Sequence, residues 1–142
     1  MPDMPRIGFI SFKKKIIQPL SNFDIARAAT VTAIPNFRGV FMRDTLPTKI
    51  NKVECGVVNL DTSVSQGTHW TAYYKKGKQC IYFDSFGLPP PKEVETYLDQ
   101  PYVYQTFQLQ DYKDAICGHL CLYVLRNLAA GTDFKSIILN II

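Results

Sequence analysis

The stretch DAICGHLCLYVL, residues 114–125, decides the fold, because it reads as a buried helix with a cysteine near its start. Ile116, Leu120, Val124 and Leu128 recur at a spacing of four, with Cys121 and Leu125 beside them, so one face of this helix belongs to the core. Asp114 is a good N-cap residue, and with it as the cap the first turn is Ala115, Ile116 and Cys117. Free backbone N–H groups and the positive end of the helix dipole favour an anion there, which lowers the pKa of a thiol. Buried cysteines more often simply fill space, so position alone leaves both readings of Cys117 open.

The segments around this helix read as a compact α+β domain. Ser21 and Asp24 in LSNFDIARAATV have the spacing of a capping box and start a first helix. The following IPNFRGVFMRDTLPTKI carries two prolines and a glycine and reads as an irregular crossing segment. ECGVVNL is a strand, SVSQGT a loop, and HWTAYYKKGKQCIYF a hairpin rich in aromatic and β-branched residues around a Lys-Gly turn. GLPPPKEVETYL breaks the sheet and starts a helix, YVYQTFQL reads as another strand, and SIILNII as a packed terminal element. With no repeat or linker, residues 1–142 form one domain: a small central antiparallel or mixed sheet packed against the helix that carries Cys117.

Composition narrows the classes. The net charge of +4 is modest, and the lysine clusters at 13–15 and 75–78 are too small for the basic footprint of a nucleic-acid-binding protein. Cys55, Cys80, Cys117 and Cys121 contain no C-x-x-C pair and lack metal-site spacing, so neither zinc nor a disulfide framework is expected. No apolar run is long enough for a signal peptide or a membrane span, which points to a soluble protein of a reducing, intracellular compartment without membrane partners.

A nucleophilic cysteine normally needs an imidazole to take its proton, and the chain has two histidines. His119 lies two residues after Cys117 on the same helix and so points away from it, toward solvent or a capping contact. His69 is the remaining base. If Lys76 and Gly77 form the hairpin turn, Lys75 faces Lys78 and the residue opposite His69 is Asp84. Directly opposed Cβ atoms lie about 4.5–5.5 Å apart, near enough for a carboxylate to orient the ring. An oxyanion would need the N–H of Cys117 and a second donor. Among Gln100, Gln105, Gln108 and Gln110, position favours the last two without choosing between them.

The order GTHW, YFDSFG, LQDYKDAICGHLC resembles the adenain-like cysteine proteases of adenoviruses, other large DNA viruses and virus-like transposons. The likeness runs from about Phe37 to about Leu125, including the lead-in FRGVFMRDTLP and ECGVVNLD. It implies a thiol endopeptidase in which Cys117 is the nucleophile, His69 the base, Asp84 the orienter and Gln110 the oxyanion-hole amide. It further implies small residues, glycine above all, at the cleavage site, and Asn59, Gly67, Thr68 and Trp70 as substrate-lining positions. Core packing is the ordinary role of Trp70, whose side chain leaves the strand on the face opposite His69.

Adenain usually has Glu where this chain has Asp84, whereas the related deconjugases of ubiquitin-like modifiers have Asp. The chain is also shorter than adenain, so adenain's activating peptide and DNA are not carried over, and no metal or organic cofactor is expected. The expected partners are polypeptide substrates, by resemblance capsid or core precursors, matured in a virion or in the host nucleus or cytoplasm. The alternatives are a deconjugase of ubiquitin-like modifiers and a non-catalytic binding module on the same fold.

Overall fold

A computed structural model describes residues 19–63, 69–109 and 116–142. Lys13 to Lys15, Gly67, Thr68, Gln110, Asp114 and Ala115 lie outside the described residues. The element order is α1 (Asn22–Val31), β1 (Phe37–Met42), β2 (Val53–Asn59), β3 (Trp70–Lys76), β4 (Gln79–Phe83), α2 (Lys92–Leu98), α3 (Cys117–Ala129) and α4 (Phe134–Ile141). The four strands form one mixed sheet in the order β1-β2-β3-β4, with β1 parallel to β2 and the other pairs antiparallel.

α1 starts where the sequence places it. Ser21 Oγ accepts the Asp24 N–H at 3.1 Å, and Asp24 Oδ2 accepts the Ser21 N–H at 2.9 Å, so two otherwise unpaired donors are satisfied reciprocally. The crossing segment after α1 is less irregular than expected, because residues 37–42 of it form β1. Phe37, Val40, Phe41 and Met42 supply enough apolar surface for an edge strand, and a break in register between Phe37 and Gly39 absorbs the glycine.

The β3–β4 hairpin corrects the expected turn. Lys76 faces Gln79, so Gly77 and Lys78 are the two turn residues, and the register is displaced by two from the reading that paired His69 with Asp84 directly. Gly77 has φ +62 at the first central position, the place where a type II′ turn calls for glycine. A displacement of two leaves every side chain on its original face, because strand side chains alternate with period two.

YVYQTFQL is also corrected: it forms no strand beyond a single parallel bridge between Val103 and Ile81. Val103 donates to Cys80 O and accepts from Tyr82 N–H, which covers part of the β4 edge. The chain then leaves the sheet, and Gln105 and Leu109 donate instead to the carbonyls of Asp84 and Ser85.

Two cores flank the sheet. On one face Cys55, Val57, Trp70, Ala72, Ile81 and Phe83 pack against Ile25 and Ala29 of α1 and against Leu120, Cys121, Val124, Leu125 and Leu128 of α3, with Ile137, Ile138 and Ile141 of α4 completing the layer. The stripe read from the sequence is thus the buried face of α3, and the terminal apolar segment is packed. On the other face Val58, Tyr73, Cys80 and Tyr82 pack against Val94, Tyr97 and Leu98 of α2.

Candidate active site

Three elements meet at the end of the sheet where β3 begins and β4 finishes. His69 immediately precedes β3, Asp84 immediately follows β4, and Cys117 is the first residue of α3. Ile116, and not Asp114, is the N-cap residue, and it contributes no side-chain hydrogen bond to the helix end. Among the described residues no N-cap side chain takes up the first-turn N–H groups of α3, and the Gly118 N–H acts on the Cys117 sulfur.

The His69 Nε2 to Asp84 Oδ1 distance is 2.7 Å, with the two side chains 8% and 1% exposed. A carboxylate oxygen accepts, so Nε2 carries the hydrogen and Nδ1 is the nitrogen left to face a thiol. Nδ1 is buried with no hydrogen-bond partner among the described residues, and the Cys117 side chain is close enough to favour the charged ring. The displaced register still delivers the pair, because Asp84 becomes a diagonal neighbour on the same face, within reach of an imidazole.

Charge is distributed as a thiolate–imidazolium pair requires. Burial pulls the His69 pKa down, but hydrogen bonds with Asp84 and Cys117 and the charges of both outweigh it, raising it to about 9. Burial pushes the Cys117 thiol up, yet the His69 hydrogen bond, the Trp70 main-chain N–H, the His69 charge and the Gly118 N–H leave it below an ordinary thiol. Each group favours the charged form of the other.

The remaining cysteines behave differently. Cys55, Cys80 and Cys121 are buried, whereas Cys117 is half-buried, and all four thiols are free. Burial raises Cys55 to about 12 and Cys80 to about 11, and also raises Cys121. His119 is half-buried rather than turned to solvent, and burial lowers its pKa, so its ring is held neutral.

Of the expected substrate-lining residues, Asn59 and Trp70 are among those described. Asn59 is fully buried; its Oδ1 accepts the Asp61 N–H at 2.9 Å, so it stabilises the exit from β2 instead of presenting surface to a substrate. The Trp70 side chain is packed in the core, and its indole N–H donates to Leu20 O at 3.0 Å. Its contribution to the site is the main-chain N–H on the Cys117 sulfur.

Two neighbours of the site, Phe86 in YFDSFG and Gln105, take places that the sequence reading did not give them. The Phe86 ring stacks on His69 with centroids 3.9 Å apart and planes 6° from parallel. The Gln105 side-chain amide donates to Asp84 O from a buried position. The correct hairpin register, extended past the last pair, would have put Phe86 opposite His69. Gln105 had no comparable signal, because its place depends on a loop that leaves the sheet.

No protein-family model and no curated protein sequence matches the chain. Two crystal structures titled as ASFV pS273R protease, one of them the selenomethionine form, align with it at TM-scores of 0.57 and 0.52 and identities of 18% and 17%. Both alignments cover 84% of this chain and 61% of the protease, so the chain spans about three-fifths of the length of that protein. The chain thus shares its fold with these two protease structures, as the resemblance implies.

Proposed function

We propose that the chain is a cysteine endopeptidase that cleaves polypeptide precursors at glycine-containing sites. The observation that carries this reading is the 2.7 Å hydrogen bond of His69 Nε2 with Asp84 Oδ1, beside a Cys117 thiol that His69 lowers. The Cys117 thiolate attacks the scissile carbonyl carbon, and the His69 imidazolium gives its proton to the leaving amine. His69, now neutral, takes a proton from the water that hydrolyses the acyl-enzyme and so restores the imidazolium. Asp84 holds the ring in one tautomer throughout. The oxyanion is assigned to the Cys117 N–H, which as the first helical N–H has no intrahelical acceptor, and to the side-chain amide of Gln110.

Structural precursors of a virus or a virus-derived element are the substrates the resemblance favours. The test is a panel of glycine-containing linear peptides alongside fusions of ubiquitin-like modifiers, assayed with the wild type and Cys117→Ala. Cleavage of the linear peptides that is lost in Cys117→Ala is the expected result. Cleavage of the fusions alone would replace this reading with deconjugation, and proteolysis that survives Cys117→Ala would remove the site altogether.

A further inference from the structure

We propose that Phe86 is a positioning residue for His69, stacking on the imidazole while its main-chain N–H shares with that ring a single acceptor, Asp84 Oδ1. The inference deepens the reading of His69 as the base and rests on it.

The geometry forms a closed loop of three residues. Asp84 Oδ1 accepts from His69 Nε2 at 2.7 Å and from Phe86 N–H at 2.8 Å. The Phe86 ring then returns to the imidazole face at 3.9 Å. An imidazole held by one hydrogen bond can still swing about that bond, which would carry Nδ1 away from the thiol. A ring lying within 6° of parallel on its face opposes that swing.

The turn that carries Phe86 is itself pinned. Gly87 N–H donates to Asp84 O at 2.8 Å, Leu109 N–H donates to Ser85 O at 2.7 Å, and the Gln105 amide donates to Asp84 O. Gly87 has φ +76, and a Cβ there would lie 2.5 Å from the main chain of Phe107, so the turn is packed backbone against backbone. Phe86 therefore cannot drift without dislodging residues 105–109.

Stacking also has an electrostatic sign. Two neutral rings prefer an offset or edge-on arrangement, whereas a cation over a ring face is attracted to its quadrupole. The stacked geometry thus favours the imidazolium, the form that pairs with a Cys117 thiolate. Among the described residues the titratable groups acting on His69 are Asp84 and Cys117, and both favour the same form.

The test is the pH profile of iodoacetamide labelling at Cys117, resolved by mass spectrometry, in the wild type, Phe86→Leu, Phe86→Met, Phe86→Tyr and His69→Ala. The non-aromatic variants should move the thiolate midpoint up by about one pH unit, a labelling rate roughly tenfold lower on the acid side, while Phe86→Tyr restores the wild-type midpoint. Cys55 and Cys121 in the same samples report the fold, since buried thiols label only if the core opens. A Phe86→Leu or Phe86→Met midpoint equal to the wild type overturns the proposal, as does opening of the core in both variants, which would make Phe86 a packing residue. If His69→Ala also leaves the midpoint unchanged, the assignment of His69 as base has failed; if His69→Ala shifts it and the Phe86 variants do not, only the role of Phe86 has failed.

Discussion

Asp84 Oδ1 accepts from both the His69 ring and the Phe86 N–H, so a change at this one carboxylate reaches the imidazole and the ring stacked upon it. The imidazolium of His69, raised to about 9, adds stability that is fully present below about 6.5 and is lost as the pH rises through about 9. The lowered Cys117 thiol supplies the other limit, so the charged pair is populated from that value up to about 9. Peptide cleavage should therefore give a bell-shaped profile whose alkaline limb falls near 9. In Asp84→Asn a raising influence on His69 is lost, and the alkaline limb should move to lower pH; a limb unchanged in that variant would separate Asp84 from the base. His69→Ala should move the onset of Cys117 alkylation to higher pH, since the His69 hydrogen bond and charge both lower the thiol. At this scale the sequence was informative even through an error. The turn was misplaced by two residues, yet Asp84 stayed on the same face as His69, because side-chain direction repeats every two residues. Phe86 stood in the YFDSFG motif, but that same displacement kept it from being placed opposite His69.

Glu54 is a buried charge that ties strands and helix together on the face away from α3. It accepts from Tyr73 Oη of β3 at 2.5 Å, Tyr97 Oη of α2 at 2.6 Å, Arg38 of β1 at 2.8 Å and the Asn51 N–H at 2.8 Å. Burial pushes its pKa up, but these four donors outweigh burial and leave it lowered. Its folded value lies below its unfolded one, so it contributes stability above the unfolded value that is lost as the pH falls through the folded value. Glu54→Gln keeps the shape and removes the charge, and should cost about 2 kcal/mol at neutral pH by denaturant unfolding, with less further loss on acidification than the wild type shows. An equal acid response in both proteins would show that the network is not held by the ionised carboxylate. Elements with a strong period were legible: α3 from its apolar stripe, α1 from its capping box. β1 was not, since its glycine and the prolines on either side of it resembled a loop and only pairing with β2 made it a strand. YVYQTFQL failed in the opposite direction, because β propensity without a continuous partner gives one bridge and no strand.

Across the whole molecule, one thiol differs from the other three in both exposure and environment. The native protein should accordingly take up one equivalent of iodoacetamide rapidly at neutral pH and all four only after denaturation, as counted by intact mass. Rapid labelling of a second cysteine would contradict the two closed cores. The general architecture could be read from the sequence because the apolar stripe, the hairpin and the spacing of His69, Asp84 and Cys117 are local patterns. The division into two cores could not, since it depends on which face of the sheet each helix covers. That division has a further consequence. His69 and Asp84 flank one hairpin and the Cys117 sulfur stands on a separate helix, and among the described residues the packing of α3 on the sheet and on α1 joins them. Cys117 reactivity is therefore a gauge of that seam: a small parting of helix from sheet returns the sulfur to the chemistry of an ordinary thiol while both pieces remain folded.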